Sequence, residues 1–111
     1  MSRKMRVLIK RPDEQFGHVT NISNTLENMQ RTVEGYIETI KIAESPDGKP
    51  IILVCNEEGK LKELEHNIYL WDEEIVGTFF LCSSDYENLT DLPPTFGMAE
   101  WKKMLTEMRW E

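Results

Sequence analysis

Residues 36–55 read YIETIKIAESPDGKPIILVC, and this stretch decides the fold. Its first part, residues 36–43, alternates with the period-2 pattern of a half-buried strand. Residues 45–48 predict a turn, because proline presets φ and glycine accepts a positive φ. Residues 51–55 form an unbroken apolar run, which is typical of a strand buried on both faces. The stretch therefore predicts two antiparallel neighbouring strands, of which the second is central in its sheet.

The flanking segments predict further elements around this hairpin. A helix is expected to begin after Asn24, an N-cap with Glu27 three residues later, and to end at Gly35. The other predictions are strands at 5–10, 17–22 and 75–82, a short helical or irregular stretch at 61–71, a loop at 85–94 and a C-terminal helix at about 96–109. The order β-β-α-β-β-β-α predicts a two-layer α+β domain with a largely antiparallel sheet of four to five strands and two helices.

Length and apolar patterning limit the class of protein. A chain of 111 residues has room for one domain, residues 1–111. No apolar run approaches the roughly 20 residues that span a bilayer, and the first apolar stretch is too short for a signal peptide. We therefore expect a cytoplasmic protein without membrane association. Cys55 and Cys82 lie inside apolar runs, which predicts buried, reduced thiols; a disulfide would require their strands to be neighbours.

The formal charge of −7 is unevenly distributed. Residues 1–12 carry five basic groups and no acid, so all 20 acidic residues lie in the remainder. An acidic surface repels phosphates, which disfavours generic nucleic-acid binding. Such a surface suits a basic protein partner, or imitates nucleic acid toward one. Solubility alone is the simpler explanation of the same charge.

No pattern of catalytic or metal-binding residues is present in the sequence. His18 and His66 have no metal-ligand spacing to a cysteine, an aspartate or each other. No GxSxG motif occurs, and the six glycines are scattered singly rather than grouped in a phosphate-binding loop. We therefore expect no metal, no cofactor and no enzymatic activity.

A small set of polar residues near predicted strand ends forms the candidate binding site. Period-2 alternation places Tyr36 and Glu38 on the core face of their strand, unless the strand begins at Thr39 or contains a bulge that leaves Glu38 in solvent. Loops at the ends of central strands often carry binding groups, although these residue types also form plain turns. The candidates are Tyr36, Glu38, Asn56, Glu57, Glu58 and Asn67 for a ligand or partner, and Trp101 and Trp110 for an interface.

Three blocks of the chain resemble a known family. The block Val54–Leu61 (VCNEEGKL) is the most specific, and GYIE at 35–38 and GTFF at 77–80 support it. The chain resembles a small uncharacterised family of bacteriophage, plasmid and conjugative-element proteins of Gram-positive bacteria, over about residues 5–92. The family often has an arginine after the position of Asn67. Ile68 stands there in this chain, which argues against phosphate binding at that position.

The resemblance implies a genetic context and no activity. With the acidic surface, it favours a non-enzymatic accessory protein of a phage or mobile element, acting in counter-defence or host takeover by inhibiting a host or defence-system protein. One alternative is a nucleotide-type ligand-binding or sequestering module built on Tyr36, Glu38, Asn56 and Asn67. Another is an oligomerisation module that forms a homodimer through an open sheet edge or the C-terminal helix.

Overall fold

The computed structural model describes residues 3–85 and 87–108, in which the chain forms eight strands and two helices. In chain order these are β1 (Lys4–Lys10), β2 (His18–Ser23), α1 (Leu26–Val33), β3 (Ile37–Glu44), β4 (Pro50–Asn56), β5 (His66–Leu70), β6 (Glu73–Val76), β7 (Phe79–Ser84), β8 (Leu89–Thr90) and α2 (Met98–Met108).

The main sheet has the strand order β2-β1-β7-β4-β3, and every neighbouring pair is antiparallel. The two-residue strand β8 extends this sheet by pairing with β7. Strands β5 and β6 form a separate two-stranded hairpin. The hairpin predicted from residues 36–55 is confirmed, and β4 lies inside the sheet between β7 and β3. The predicted α+β class with a largely antiparallel sheet is also confirmed.

The main sheet is covered on both faces, because strands β1, β4 and β7 are apolar on both sides. On one face, Leu8, Leu53 and Leu81 pack in a core with the β5–β6 hairpin and α2. On the other face, Val7 and Val54 pack in a second core with α1. The two helices thus cover opposite faces of the sheet. This arrangement has one more covering layer than the two-layer expectation, and more strands than the four to five expected.

The segment between β4 and β7 differs most from the sequence-based expectation. Residues 61–71 were expected to be helical or irregular, but β5 occupies the second half of that stretch. Residues 75–82 were expected to form one strand, but the chain breaks between β6 and β7 at Gly77, where φ is +76°. A Cβ at Gly77 would lie 2.8 Å from Leu64 Cδ1, so a side chain there would collide with the preceding segment. The break folds β6 away from β7 into the hairpin.

The ends of α1 also differ in detail from the prediction. The N-cap is Thr25, whose Oγ1 accepts a hydrogen bond from the Asn28 amide at 3.1 Å. Asn24 instead donates from Nδ2 to the Leu89 carbonyl at 3.2 Å. The left-handed residue at the C-terminus is Glu34, with φ of 66°, rather than Gly35. Gly35 is required for another reason: its backbone lies close to the side chain of Asn56.

Candidate functional site

Four of the six predicted binding residues border one cleft beside the β5–β6 hairpin. Glu38 comes from β3, and Asn56, Glu57 and Glu58 come from the end of β4 and the turn that follows. The structure brings Glu73 and Glu74 of β6 to the same cleft, which has a volume of about 200 Å³. We call this site the acidic cleft, defined by its five carboxylates: Glu38, Glu57, Glu58, Glu73 and Glu74.

Negative charge dominates the acidic cleft. Among the residues that line it, Lys60 is the one basic side chain against the five glutamates. One of these carboxylates has a partner within the protein: Glu74 Oε2 lies 2.7 Å from His66 Nδ1. Carboxylates gathered from three separate segments repel one another and attract cations or basic side chains. The cleft therefore suits a positively charged group.

Asn56 holds the acidic cleft together rather than offering its amide to a ligand. Its side chain is 5% exposed; Nδ2 donates to the Val33 carbonyl at 3.0 Å, and Oδ1 accepts from the Glu58 amide at 2.7 Å. A Cβ at Gly35 would lie 2.6 Å from Asn56 Nδ2, which explains why glycine occupies that position. Asn56 thus joins α1, β4 and the turn that carries the glutamates.

Glu38 lies on the core face of β3 but in solvent. The strand begins at Ile37, and Glu38 pairs with Cys55, whose side chain belongs to the core beneath the hairpin. The irregularity in pairing falls between Lys41 and Ala43, away from Glu38. The Glu38 side chain is exposed. The period-2 prediction of its face is correct, and the solvated alternative describes its environment.

Tyr36 and Asn67 do not line the acidic cleft. Tyr36 is 65% exposed, and its carbonyl accepts a hydrogen bond from the Glu57 amide at 2.8 Å. Asn67 is 8% exposed; its Nδ2 donates to the Lys10 carbonyl at 2.9 Å and to the Gly77 carbonyl at 2.7 Å. Its Oδ1 accepts from Lys10 Nζ at 2.5 Å. Asn67 therefore fastens the hairpin to β1 through its side-chain amide, which leaves no Nδ2 hydrogen to donate to a base or a ribose.

A second and larger concavity lies on the other side of the hairpin. We call it the aromatic groove, and it is defined by Lys10, Phe16, His66, Tyr69, Trp71 and Leu105. Its volume is about 680 Å³. The residues from β5 and the tip of the hairpin form one wall, and the segment after β1 with the last part of α2 forms the other. Except for Asn67, which also lines it, the groove contains none of the predicted ligand-binding residues.

The two histidines each pair with one glutamate. His18 Nδ1 lies 2.9 Å from Glu14 Oε2, and His66 Nδ1 lies 2.7 Å from Glu74 Oε2. Within residues 3–85 and 87–108, no group of three or more histidine, cysteine or acidic side chains has the geometry to hold a metal ion.

Both cysteines are free and buried, on opposite faces of the main sheet. Cys55 belongs to the core beneath the hairpin and α2, and Cys82 to the core beneath α1. Burial raises the pKa of Cys55 to about 12, with a further contribution from the carboxylates of Glu38 and Glu73. Burial alone raises the pKa of Cys82 to about 12. Neither thiol is positioned to act as a nucleophile at neutral pH, because the thiolate is the reactive form.

The interface predicted from tryptophans is corrected at Trp101. Its side chain is fully buried, packs edge-on against Phe79 at 6.1 Å between ring centroids, and donates from Nε1 to the Phe16 carbonyl at 2.9 Å. Trp101 is therefore a core residue and offers no surface to a partner. Trp110 lies outside the described residues, as does the last residue of the helix predicted to end at 109.

Neither described helix is both long enough and apolar enough to cross a membrane.

Comparison with protein families shows a match over most of the chain. Residues 5–106 match the sequence model of a family described as a domain of unknown function (DUF3846). The match continues past residue 92, so it includes most of α2, which the sequence resemblance left out. No curated protein and no solved structure matches the chain significantly.

Proposed function

The chain belongs to the DUF3846 family, whose description assigns no activity, and we propose that it is a non-enzymatic protein that binds a basic protein partner through the acidic cleft. The observation that carries the proposal is the meeting of five glutamates from β3, the turn after β4, and β6 around one cleft. The sequence separates these residues by up to 36 positions, so the fold itself concentrates the charge.

The size of the acidic cleft favours a protruding side chain over a whole small molecule. Its volume of about 200 Å³ lies below the roughly 300–1,000 Å³ of typical small-molecule sites. A lysine or arginine on the surface of a partner would enter such a cleft and meet carboxylates on several sides. The neighbouring turn and hairpin carry further exposed acids, Glu63, Glu65 and Asp72, beside the exposed Lys60 and Lys62.

The chemistry of the proposed partner follows from this charge. Proteins that bind nucleic acid present clusters of lysine and arginine, and an acidic surface competes for them. The sequence resemblance to phage and mobile-element proteins favours a counter-defence role. We therefore propose that the partner is a nucleic-acid-binding defence or host protein in the cytoplasm, and that occupation of its basic surface inhibits it.

Neutralising the acidic cleft tests the proposal. The cleft variant combines Glu57→Gln, Glu58→Gln and Glu73→Gln, and the matched control combines Glu27→Gln, Glu44→Gln and Glu107→Gln, three exposed acids away from the cleft. Both variants change the net charge by the same amount. Association with a panel of purified restriction nucleases and CRISPR effectors is measured at low and physiological salt. Electrostatic steering predicts association about tenfold or more slower for the cleft variant at low salt, with the control close to wild type.

A second measurement connects binding with function. The cells for this test carry the defence system whose protein the chain binds. Phage should form plaques more efficiently on such cells when they express the wild-type chain than when they express the cleft variant. Double-stranded DNA should displace the wild-type chain from its partner. The proposal is contradicted if the wild-type chain neither binds any member of the panel nor protects phage. It also fails if the cleft and control variants lose binding equally, since net charge alone would then explain the association.

A further inference from the structure

Lys10 is a buried cation at the base of the aromatic groove. Its side chain is 3% exposed. Burial lowers the pKa of the ammonium, and this effect is larger than the opposite effect of the negative charges of Glu14 and Asp13, which raise the pKa. Among the described residues, no carboxylate lies within 4.0 Å of Nζ, and Asn67 Oδ1 is the one hydrogen-bond acceptor that it meets. An ammonium has three donors, so the position favours a further acceptor from the groove.

Glu14, the one acidic residue among the described residues that line the groove, is already engaged. Glu14 Oε1 accepts from the Arg11 amide at 2.8 Å and lies 3.8 Å from its guanidinium, while Oε2 lies 2.9 Å from His18 Nδ1. These contacts hold the carboxylate of Glu14 away from a pairing with Lys10. The charge of Lys10 therefore remains uncompensated by an ion pair within the described residues.

Aromatic side chains form the wall above this ammonium. Tyr69 is 62% exposed and Trp71 51% exposed, although both line the groove. The ring of His66 lies 4.7 Å from that of Tyr69 between centroids, tilted by 45°. Trp71 has a φ of 55°, at a turn position where glycine is usual. The left-handed region is unfavourable for a bulky residue, so the turn keeps tryptophan against a local conformational preference.

The dimensions of the groove match those of small-molecule sites. Its volume of about 680 Å³ lies within the roughly 300–1,000 Å³ that such sites occupy. Ligand sites combine mostly apolar and aromatic walls with a few polar groups that fix orientation. Phe16, Ile68 and Leu105 supply apolar lining, and Lys10 is one of its polar groups, beside Gln15 and Thr106. The acidic cleft, on the opposite side of the hairpin, lacks both the volume and the aromatic wall.

We propose that the aromatic groove binds a planar aromatic compound that carries one anionic group, of which a nucleoside monophosphate is the nearest common class. The anionic group accepts hydrogen bonds from Lys10 Nζ, and the aromatic ring stacks on the wall of Trp71, Tyr69 and His66. Stacking on an aromatic side chain strengthens the binding of a base and tolerates different bases. One buried ammonium, in a chain of net charge −7, suits a single anionic group and not a polyphosphate.

Calorimetric or NMR titration of the full chain tests this site. The probes are adenosine, cytidine and uridine 5′-monophosphates, with adenosine and inorganic phosphate as the separate halves of the ligand. We expect saturable binding of at least one monophosphate, weaker binding of adenosine, and the weakest binding for phosphate. Trp71→Asn removes the ring and keeps a residue that tolerates a left-handed backbone. It should weaken monophosphate binding about tenfold or more, the equivalent of losing one stacked base.

Two further variants separate stacking from charge. Tyr69→Thr removes an exposed ring and keeps a residue with high strand propensity, so it tests the wall if Trp71→Asn folds poorly. Lys10→Met should weaken binding of the monophosphate more than binding of adenosine, because adenosine carries no anionic group. The proposal is overturned if the wild-type chain binds none of the three monophosphates up to about 1 mM. It is also overturned if binding persists undiminished in the folded Trp71→Asn or Tyr69→Thr chain.

Discussion

Asn56 and Asn67 each join, through a buried side-chain amide, segments that are far apart in the sequence. Both were candidate ligand-binding amides, and both lie buried with their side-chain nitrogen and oxygen engaged inside the protein. Asn56 joins α1 to the glutamate-bearing turn, and Asn67 joins β1 to the β5–β6 hairpin. A buried amide that bonds to backbone in two directions fixes the relative position of segments far apart in sequence. These asparagines therefore hold in position the segments that border the acidic cleft and the aromatic groove.

Removal of the Asn56 side chain is expected to destabilise the fold. Asn56→Ala leaves the Val33 carbonyl and the Glu58 amide without their partner, at about 1–3 kcal/mol for each buried unsatisfied group. Because the Glu58 amide is only partly buried, we expect the free energy of unfolding to fall by about 2 kcal/mol. Urea denaturation followed by circular dichroism measures this. Asn21→Ala, on an exposed position of β2, should change stability by less than about 0.5 kcal/mol.

An unchanged urea midpoint for Asn56→Ala would contradict this account and return Asn56 to the list of residues available for ligand contacts.

At the scale of elements, two adjacent residues share the C-terminus of α1, where the sequence suggested a single glycine. One has the left-handed backbone, and the other makes a close approach to a neighbouring side chain. The left-handed conformation falls on Glu34, and the close approach falls on Gly35. Glu34→Asn is therefore expected to raise stability by about 0.5–1 kcal/mol, because asparagine tolerates the left-handed region better than glutamate. Gly35→Ala is expected to lower stability, since its Cβ would lie 2.6 Å from Asn56 Nδ2. Thermal unfolding of both variants checks the pair.

A matched control isolates the conformational effect from the loss of charge. Glu34→Gln removes the same charge at the same position, but glutamine, unlike asparagine, has no special tolerance of the left-handed region. It should raise stability less than Glu34→Asn does. If Glu34→Gln and Glu34→Asn shift the melting temperature by the same amount, the left-handed conformation of Glu34 does not limit the stability of the helix.

The elements that the sequence predicted correctly are those with an explicit turn or a long apolar pattern. The β3–β4 hairpin is an example: Gly48, with φ of +86°, donates from its amide to the Ser45 carbonyl at 2.8 Å, and the Ser45 amide donates to Lys49. The β5–β6 hairpin had no such signal. Its turn consists of Trp71 and Asp72 rather than asparagine and glycine, and β5 begins with two polar residues.

The candidate site was predictable where its residues lie on the predicted β3–β4 hairpin or directly after it. Glu38 lies on β3, and Glu57 and Glu58 directly follow β4, so the predicted hairpin brings them to the same cleft. Glu73 and Glu74 complete the cleft through the hairpin, whose position depends on the break at Gly77. Lys10 of the aromatic groove is brought to the hairpin by pairing between strands that are distant in sequence. Tertiary packing of this kind leaves no local pattern in the chain.

At the scale of the whole molecule, the hairpin lies between the two proposed sites. Residues of β6 border the acidic cleft, and residues of β5 border the aromatic groove. His66 of the groove contacts Glu74 of the cleft across the hairpin. Within the described residues, no strand pairing joins the hairpin to the main sheet. Its attachment depends instead on Leu70 and Ile75 in the shared core and on the hydrogen bonds of Asn67.

The two buried thiols report whether this attachment makes one cooperative unit. Cys55 lies beneath the hairpin and α2, and Cys82 lies beneath α1, so each probes one face of the main sheet. At pH 8 both thiols should resist iodoacetamide in the folded chain, because burial raises the pKa of each to about 12. Since strands β4 and β7 contribute to both cores, unfolding one face exposes the other. We expect short iodoacetamide pulses across a urea series to modify both thiols with the same midpoint, as two-state unfolding requires.

Peptide mapping by mass spectrometry assigns the modification to each cysteine, and circular dichroism supplies the global midpoint for comparison. Modification of Cys55 at a clearly lower urea concentration than Cys82 would contradict cooperative unfolding. It would show that the hairpin face opens while α1 remains packed. In that case the acidic cleft and the aromatic groove would both be borne by a segment that detaches from the sheet, and partner binding at either site should raise the urea concentration at which Cys55 reacts.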